Sequence, residues 1–515
     1  MSLVELNISR NIVELDATQD GFRAFADEFL TKYETVMKPD IYSPGRNKLK
    51  AVMEKRVLYT RKRDLARFPR GLLEFIPKGE YSVRSESKDT GNPIINVTDD
   101  QILNTIDKFK LRNDQIIAVK KCLLCKRGVI QLPTATGKSV IITSTIKIIH
   151  GYNPGFKFLV IAPTLVTVKN MYDTLIDNGA DAGIFGHPNK DFDHVVTVAL
   201  VQSLASCSNY SDSSMINAVF YDECHHLKCD TWNNLNMMLP NAEYSLGFSA
   251  LSIDKSEIMK SDIRDLSYDA SLIVGNTGRV ITHMDPSYYI NKGIIAKPVV
   301  VRLKYKYKLP EGFDESNWRG LVEIYISSYP RAYMFSSVVK EFSTRGRKVL
   351  VLVSEKKQAY MIGNILYKLG IDRFGISFGA GRGYVPKGID DQEEVIYDGR
   401  DTTEVLSGIS TGELDIVIAT QHTDEGVDIK GLDVVVLFSP GKSDRRLIQR
   451  VGRVLRKYKN GKYAYVVDSA DKGSRVLQRH ARERMKIYKD TIGIEDNQLL
   501  ADVSLEDVVK FIDNE

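Results

Sequence analysis

The chain has 515 residues, 43% apolar and 27% charged, a composition that excludes global disorder and predicts about three domains at roughly 150 residues each. Its 71 basic and 66 acidic residues leave a net charge of only +5, and no apolar run approaches the roughly 20 residues that span a bilayer. Glu5, Arg10 and Glu14 interrupt any apolar leader, so a soluble, cytoplasmic protein without membrane attachment is expected.

Phe22, Phe25, Ala26, Phe29, Leu30 and Tyr33 recur at helical spacing and predict an amphipathic helix. Between Arg46 and Arg70 stand ten basic residues (Arg46, Lys48, Lys50, Lys55, Arg56, Arg61, Lys62, Arg63, Arg67 and Arg70) against Glu54 and Asp64, a local charge of +8. Tyr42, Tyr59 and Phe68 are interleaved, as in a nucleic-acid footprint centred on Arg61, Lys62 and Arg63. A solvated basic face is the alternative. The polar stretch 84–93, with its Gly-Asn-Pro breaker, reads as a linker. Residues 1–92 are therefore expected to form a small α+β module that binds nucleic acid.

From about residue 100 short apolar runs alternate with helical stretches, the signature of βαβ units on a parallel sheet. Strands are predicted near 129–132, 158–162, 195–199, 218–221 and 245–248, then near 349–353, 416–419, 434–438 and 464–467. The fold class is α/β, with parallel-sheet domains at 93–293 and 294–470 and a basic helical extension at 471–515. Cys122 and Cys125 have metal-ligand spacing and Cys224 lies near Cys229. No second Cys-x-x-Cys completes a tetrahedral site, so they read as small apolar side chains.

Chemistry concentrates in three segments. Leu132-Pro133-Thr134-Ala135-Thr136-Gly137-Lys138-Ser139 follows a strand and opens an apolar helix, the layout of a P-loop. Backbone N–H groups of 133–139 would cradle phosphates, Lys138 would reach the β- and γ-phosphates, and Ser139 would ligate Mg²⁺. Val219-Phe220-Tyr221-Asp222-Glu223 is an apolar strand ending in two acids. A parallel sheet can bring it beside the P-loop, with Asp222 on the metal and Glu223 activating water. Gln449, Arg453 and Arg456 share one helical face, suited to stabilising charge on a γ-phosphate or to a solvated basic helix.

In this order and spacing the segments resemble superfamily 2 helicases of the DExH type over about 105–470. The resemblance implies two tandem RecA-like domains, ATP and Mg²⁺ as cofactors, and nucleic-acid-dependent ATP hydrolysis. Leu111-Arg112-Asn113-Asp114-Gln115 looks like the glutamine motif, where Gln115 would read the adenine. Pro163, Thr164, Gln202, Ser354 and Thr420 fall on motifs that touch nucleic acid in the family. His225 of Asp222-Glu223-Cys224-His225, with Ser249 and Ala250 of Gly247-Phe248-Ser249-Ala250, would couple hydrolysis to movement. Gly426 and Asp428 would face ATP. Leu132, Ala135 and Leu251 depart from the usual pattern. The Pro-Thr-x-x-Gly-Lys-Ser loop and the stretch 56–73 are similar to phage recombination-repair helicases of the UvsW type, with XPB and RecG more distant. That implies branched or duplex DNA as substrate, and fork regression, branch migration or R-loop or D-loop unwinding, in the host cytoplasm if the protein is viral. An RNA helicase and an ATP-gated clamp that separates no strands stay open. The Gly-rich, then acidic stretch 379–398 has no counterpart; Arg382 and Tyr384 would form a branch-contacting element, or the stretch is a plain surface insertion.

Overall fold

The computed structural model describes residues 3–39, 49–87, 95–105, 110–186, 193–206, 214–250, 252–378, 382–390, 394–420, 429, 431–439, 451–452 and 463–514. Contacts divide the chain into two compact units, Met1–Leu132 with Gly137–His283, and Pro133–Thr136 with Met284–Glu515.

The first unit opens with strands β1 (Val4–Ile8), β2 (Ile12–Asp16), β3 (Thr31–Pro39), β4 (Leu49–Val57), β5 (Thr60–Lys62), β6 (Leu65–Pro69) and β7 (Tyr81–Glu86). Five of them form a sheet in the order β5-β6-β2-β1-β7, and β3 pairs with β4 as a separate antiparallel ribbon. The predicted helix is present but shorter, Phe22–Phe29, with Phe22, Phe25, Ala26 and Phe29 buried. Leu30 caps it, and the β-branched and aromatic run that follows goes into β3, leaving Tyr33 exposed on the ribbon.

A second sheet holds β8 (Arg127–Gln131), β9 (Lys157–Ala162), β10 (Ala182–Phe185), β11 (Val196–Leu200), β12 (Ile216–Asp222), β13 (Tyr244–Ser249) and β14 (Val280–His283). Their order is β10-β11-β9-β12-β13-β8-β14, with every pairing parallel. Phe158–Ala162 is buried on both faces, which is why it reads as a continuous apolar run. The two four-residue strands β10 and β14 were absent from the predicted pattern, being too short to show a period.

The small sheet is tied to this core through buried amides. Asn11 Nδ2 donates to the Asn236 carbonyl and Oδ1 at 3.2 and 2.9 Å, and Asn236 Nδ2 donates to Asn276 Oδ1 at 2.5 Å. Arg127 donates to Asn11 Oδ1 at 2.9 Å and to the Asn276 carbonyl at 3.0 Å.

The second unit holds β15 (Lys297–Tyr305), β16 (Val349–Val353), β17 (Phe374–Ser377), β18 (Gly383–Ile389), β19 (Val395–Arg400), β20 (Ile416–Thr420), β21 (Val434–Leu437), β22 (Tyr463–Asp471) and β23 (Leu499–Val503). Their order is β19-β18-β17-β20-β16-β21-β22-β15-β23, parallel except for the hairpin β18–β19 and its pairing to β17. After β22 come the helix Arg475–Ile487, then β23 as an edge strand, then the helix Leu505–Asp513, so the C-terminal segment contributes to the sheet as well as helices. The stretch 379–398 is largely the β18–β19 hairpin; residues 379–381 and 391–393 lie outside the described residues. Tyr384 is half-buried. Its ring packs 6.0 Å from Tyr360 and 5.7 Å from Phe378, because strand alternation turns it toward the apolar core, while Arg382 is exposed.

Candidate functional site

In the first unit Lys138, Asp222, Glu223, His225 and Ser249 gather at the C-terminal ends of adjacent parallel strands, where open α/β sheets place ligands. Lys138–Tyr152 is a helix opened by Gly137 at φ +85, a left-handed conformation that glycine adopts freely. A Cβ there would also run into the Gln115 side-chain amide, so the glutamine motif abuts the loop's end. Gln115 is buried, and its Oε1 accepts from the Arg112 backbone N–H at 3.0 Å. Ala135 sits at φ 64, and Lys138 Nζ lies 3.3 Å from the Leu132 carbonyl. Within the loop, Thr136 Oγ1 donates to the Pro133 carbonyl at 2.7 Å. Thr134 and Ser139 are partly buried.

Parallel pairing of β12 and β13, in register Tyr221↔Gly247 and Asp222↔Phe248, brings the acid pair beside Ser249. Glu223 turns out of the strand at φ 55, ψ 53. Ser249 Oγ donates to Glu223 Oε2 at 3.1 Å, and His225 Nδ1 lies 3.0 Å from Ser249 Oγ and 3.2 Å from Glu223 Oε2. With the serine proton committed to Glu223, Nδ1 of the histidine is the donor. Ala250 follows at the strand end. Gly247 is required by close approach, since a Cβ would strike Cys224.

Burial, then repulsion from Glu223, raises the Asp222 pKa, and Lys138 opposes this. Burial acts on Glu223 in the same sense but is outweighed by the His225 hydrogen bond, the Lys138 charge and Ser249, which hold it low. Asp222 is thus a carboxylate short of counter-charge beside one that is fully ionised. That asymmetry suits a cation at Asp222 and a proton acceptor at Glu223.

Pro163 and Thr164 follow β9, with Thr164 capping the helix Leu165–Asp177, and Gln202 Nε2 reaches the Pro163 carbonyl at 3.5 Å. In the second unit Ser354 follows β16 and buried Thr420 ends β20. Ser354 is oriented by Gln358, a residue missing from the sequence reading. Gln358 Oε1 accepts from Ser354 N and Oγ at 3.0 and 3.2 Å and from Ser439 Oγ at 2.8 Å, while its Nε2 donates to Ser327 Oγ at 2.9 Å. A glutamine in the first turn of an amphipathic helix was the available signal. Gly426, Asp428, Gln449, Arg453 and Arg456 lie outside the described residues.

The basic tract is less charged in space than along the chain. Lys55 pairs with Asp27 at 2.7 Å, Arg56 with Glu34 at 3.8 Å, Arg67 with Glu14 at 2.7 Å and Arg70 with Glu86 at 2.9 Å. Among the described residues, Arg61, Lys62 and Arg63 have no acidic partners on the exposed β5–β6 hairpin. Cys122 is buried and its thiol pKa raised by that burial, whereas Cys125 is exposed.

Two sequence families match the chain. The one described as "Type III restriction enzyme, res subunit" covers residues 108–254, and "Helicase conserved C-terminal domain" covers 334–458, together more than half of it. A protein of the Sulfolobus islandicus filamentous virus (isolate Iceland/Hveragerdi) that carries a helicase name is 23% identical over 70% of this chain and 64% of its own length, just under two thirds. The DNA 3'-5' translocase XPB2 of Sulfurisphaera tokodaii is 21% identical over 73% of this chain and 85% of its own. Among solved structures, T4 UvsW aligns over 98% of this chain and 100% of its own at 18% identity and a TM-score of 0.41.

Proposed function

The chain belongs to the superfamily 2 helicases, with two RecA-like domains behind a small N-terminal module, and from that membership we propose that it is an ATP- and Mg²⁺-dependent DNA translocase that remodels branched DNA. One observation carries the ATPase reading. The P-loop helix, the Asp222–Glu223 pair and the Ser249–His225 relay meet on neighbouring strand ends of a single parallel sheet.

The residues fit the groups they are to hold. Ser139 and Asp222 would hold Mg²⁺, which supplies charge neutralisation for the phosphates and the counter-charge that Asp222 lacks. Lys138 and the N–H groups at Gly137–Lys138 bind the β- and γ-phosphates, with Pro133, Thr134, Ala135 and Thr136 completing the loop. Glu223, kept ionised by His225 and Ser249, orients and deprotonates the attacking water. Gln115 contacts the base. Gln449, Arg453, Arg456, Gly426 and Asp428 keep the ATP-facing roles that the resemblance gives them. Pro163, Thr164, Gln202, Ser354 and Thr420 track one strand, while Arg61, Lys62 and Arg63 grip duplex.

DNA is favoured over RNA by the relation to a DNA translocase and by the UvsW-type stretch that leads into the core. The test is the steady-state ATPase rate with no nucleic acid, single-stranded DNA, duplex, a fork or four-way junction, and RNA. Strongest stimulation by the branched DNA is expected. Equal or greater stimulation by RNA would replace the reading with an RNA remodeller, and stimulation without strand displacement would leave a clamp.

A further inference from the structure

A cavity of about 430 Å³ opens beside the C-terminal ends of β15 and β22, against the helix Arg475–Ile487. Four cations line it: Arg302, Lys306, Lys472 and Arg482. Two acids lie close, and both are taken. Asp471 is bound by the fully buried Arg331 at 3.1 Å, and Asp502 bridges Arg302 at 2.8 Å and Lys472 at 2.7 Å. Among the described residues, Lys306 and Arg482 have no acidic partner, and the buried Nε of Arg302 has no acceptor.

The helix amides are not what would bind an anion here. Glu315 Oε2 already accepts from Ser474 Oγ at 2.7 Å and from the Val476 N–H at 3.2 Å, so the helix N-terminus carries its own carboxylate. The surplus charge belongs to side chains, and a basic stripe continues out of the cavity, in which, among the described residues, Arg479 alone leans on an acid of the helix, Glu483 at 4.0 Å. Arg475, Arg479, Arg482 and Lys486 recur at spacings of four, three and four on the exposed face of the helix, opposite buried Leu477, Ala481 and Ile487. At 1.5 Å per residue that stripe runs about 16 Å, several times the roughly 3.4 Å axial spacing of phosphates along one strand.

We propose that this cavity and the helix face leading from it bind the phosphodiester backbone of the nucleic acid, as a second anchor built from the end of β15 and the helix after β22. A linear row of cations fits a polyanion; a free phosphate or nucleotide would call for an enclosed cup with amide donors. The inference rests on the nucleic-acid translocase reading, and the experiment separates the two.

In the full chain, Lys306→Gln with Arg482→Gln removes two exposed cations that make no ion pair, so the fold is spared; a thermal melt checks this. The ATPase rate without nucleic acid should be unchanged. The half-saturating concentration of forked DNA should rise several-fold, and the slope of log affinity against log salt should fall by about 2, near 0.9 per phosphate contact. An unchanged slope and half-saturation, with normal stimulation, would overturn the anchor and leave the translocase reading intact. Loss of inorganic pyrophosphate binding by calorimetry with DNA affinity unaltered would overturn it in favour of a free-phosphate site. No stimulation of the unsubstituted protein by any nucleic acid would remove both readings.

Discussion

Glu223 occupies a left-handed backbone conformation that costs a non-glycine residue about 1 kcal/mol, and the surroundings hold it there through two side chains, Ser249 and His225. Ser249 is the pivot, because its hydroxyl donates to the carboxylate while accepting from the imidazole. Ser249→Ala should lower ATP turnover about tenfold, near 1.4 kcal/mol, since the direct His225 contact survives. The pH profile distinguishes this from mere loosening. A donor that stabilises the carboxylate keeps its pKa down, so its removal raises that pKa. The lower acid limb of kcat/KM, where Glu223 becomes ionised beneath the raised Asp222, should move to higher pH. A limb that stays in place would argue against Glu223 as the base. Lys138, Asp222 and Glu223 were legible because each ends an apolar strand or begins an apolar helix. The Ser249 contact was not, because it depends on which strand lies beside which. Gln358 was hidden for the same reason: its partners Ser327, Ser354 and Ser439 come from three separate loops.

At the scale of elements, buried strands such as β9, β12 and β16 announced themselves as apolar runs, while β10, β14, β17 and β23 escaped as short or edge strands and β15 escaped because Lys297, Pro298, Arg302 and Lys304 break its apolar run. What no pattern of hydrophobicity reveals is how the N-terminal sheet is fastened. Asn11, Asn236 and Asn276 are fully buried and satisfy one another, with Arg127 and Tyr221 completing the chain, Tyr221 Oη lying 2.5 Å from Asn236 Oδ1. Asn11→Leu keeps the branched shape, adds some volume and strips partners from Asn236 and Arg127 at once. A buried polar group left unpaired costs about 1–3 kcal/mol, so the denaturation midpoint should fall accordingly. Limited proteolysis should then cut between the small sheet and the core sooner than in the unsubstituted protein. Equal stability and an unchanged cleavage pattern would mean that the other ties, apolar packing of Leu72 and Phe75 with the Arg264–Glu28 pair and the Arg279 bond to the Glu74 carbonyl, hold the module in place.

For the molecule as a whole, a net charge of +5 predicts little, and even the +8 tract is misleading, since acids from the helix Phe22–Phe29 and from other strands pair with Lys55, Arg56, Arg67 and Arg70. Arg61 further spends its guanidinium on the Arg63 carbonyl at 3.0 Å and on the Phe22 ring 5.6 Å away, which fixes the hairpin tip and leaves Lys62 and Arg63 projecting. Changing Arg61, Lys62 and Arg63 together to Ala should therefore weaken DNA binding and reduce its salt slope by about 2–3, with ATP turnover in the absence of DNA unaffected. The hairpin belongs to the first unit and the Lys306–Arg482 pocket to the second. If the two surfaces contact different phosphates of one DNA, combining the two sets of substitutions should lower the slope by the sum of the separate decreases. Titration of forked DNA across a salt series, with all four proteins, reads this directly. A combined decrease equal to either one alone would mean that the two surfaces do not engage the same DNA at once, and an unchanged slope in the hairpin variant would take the N-terminal module out of DNA binding altogether.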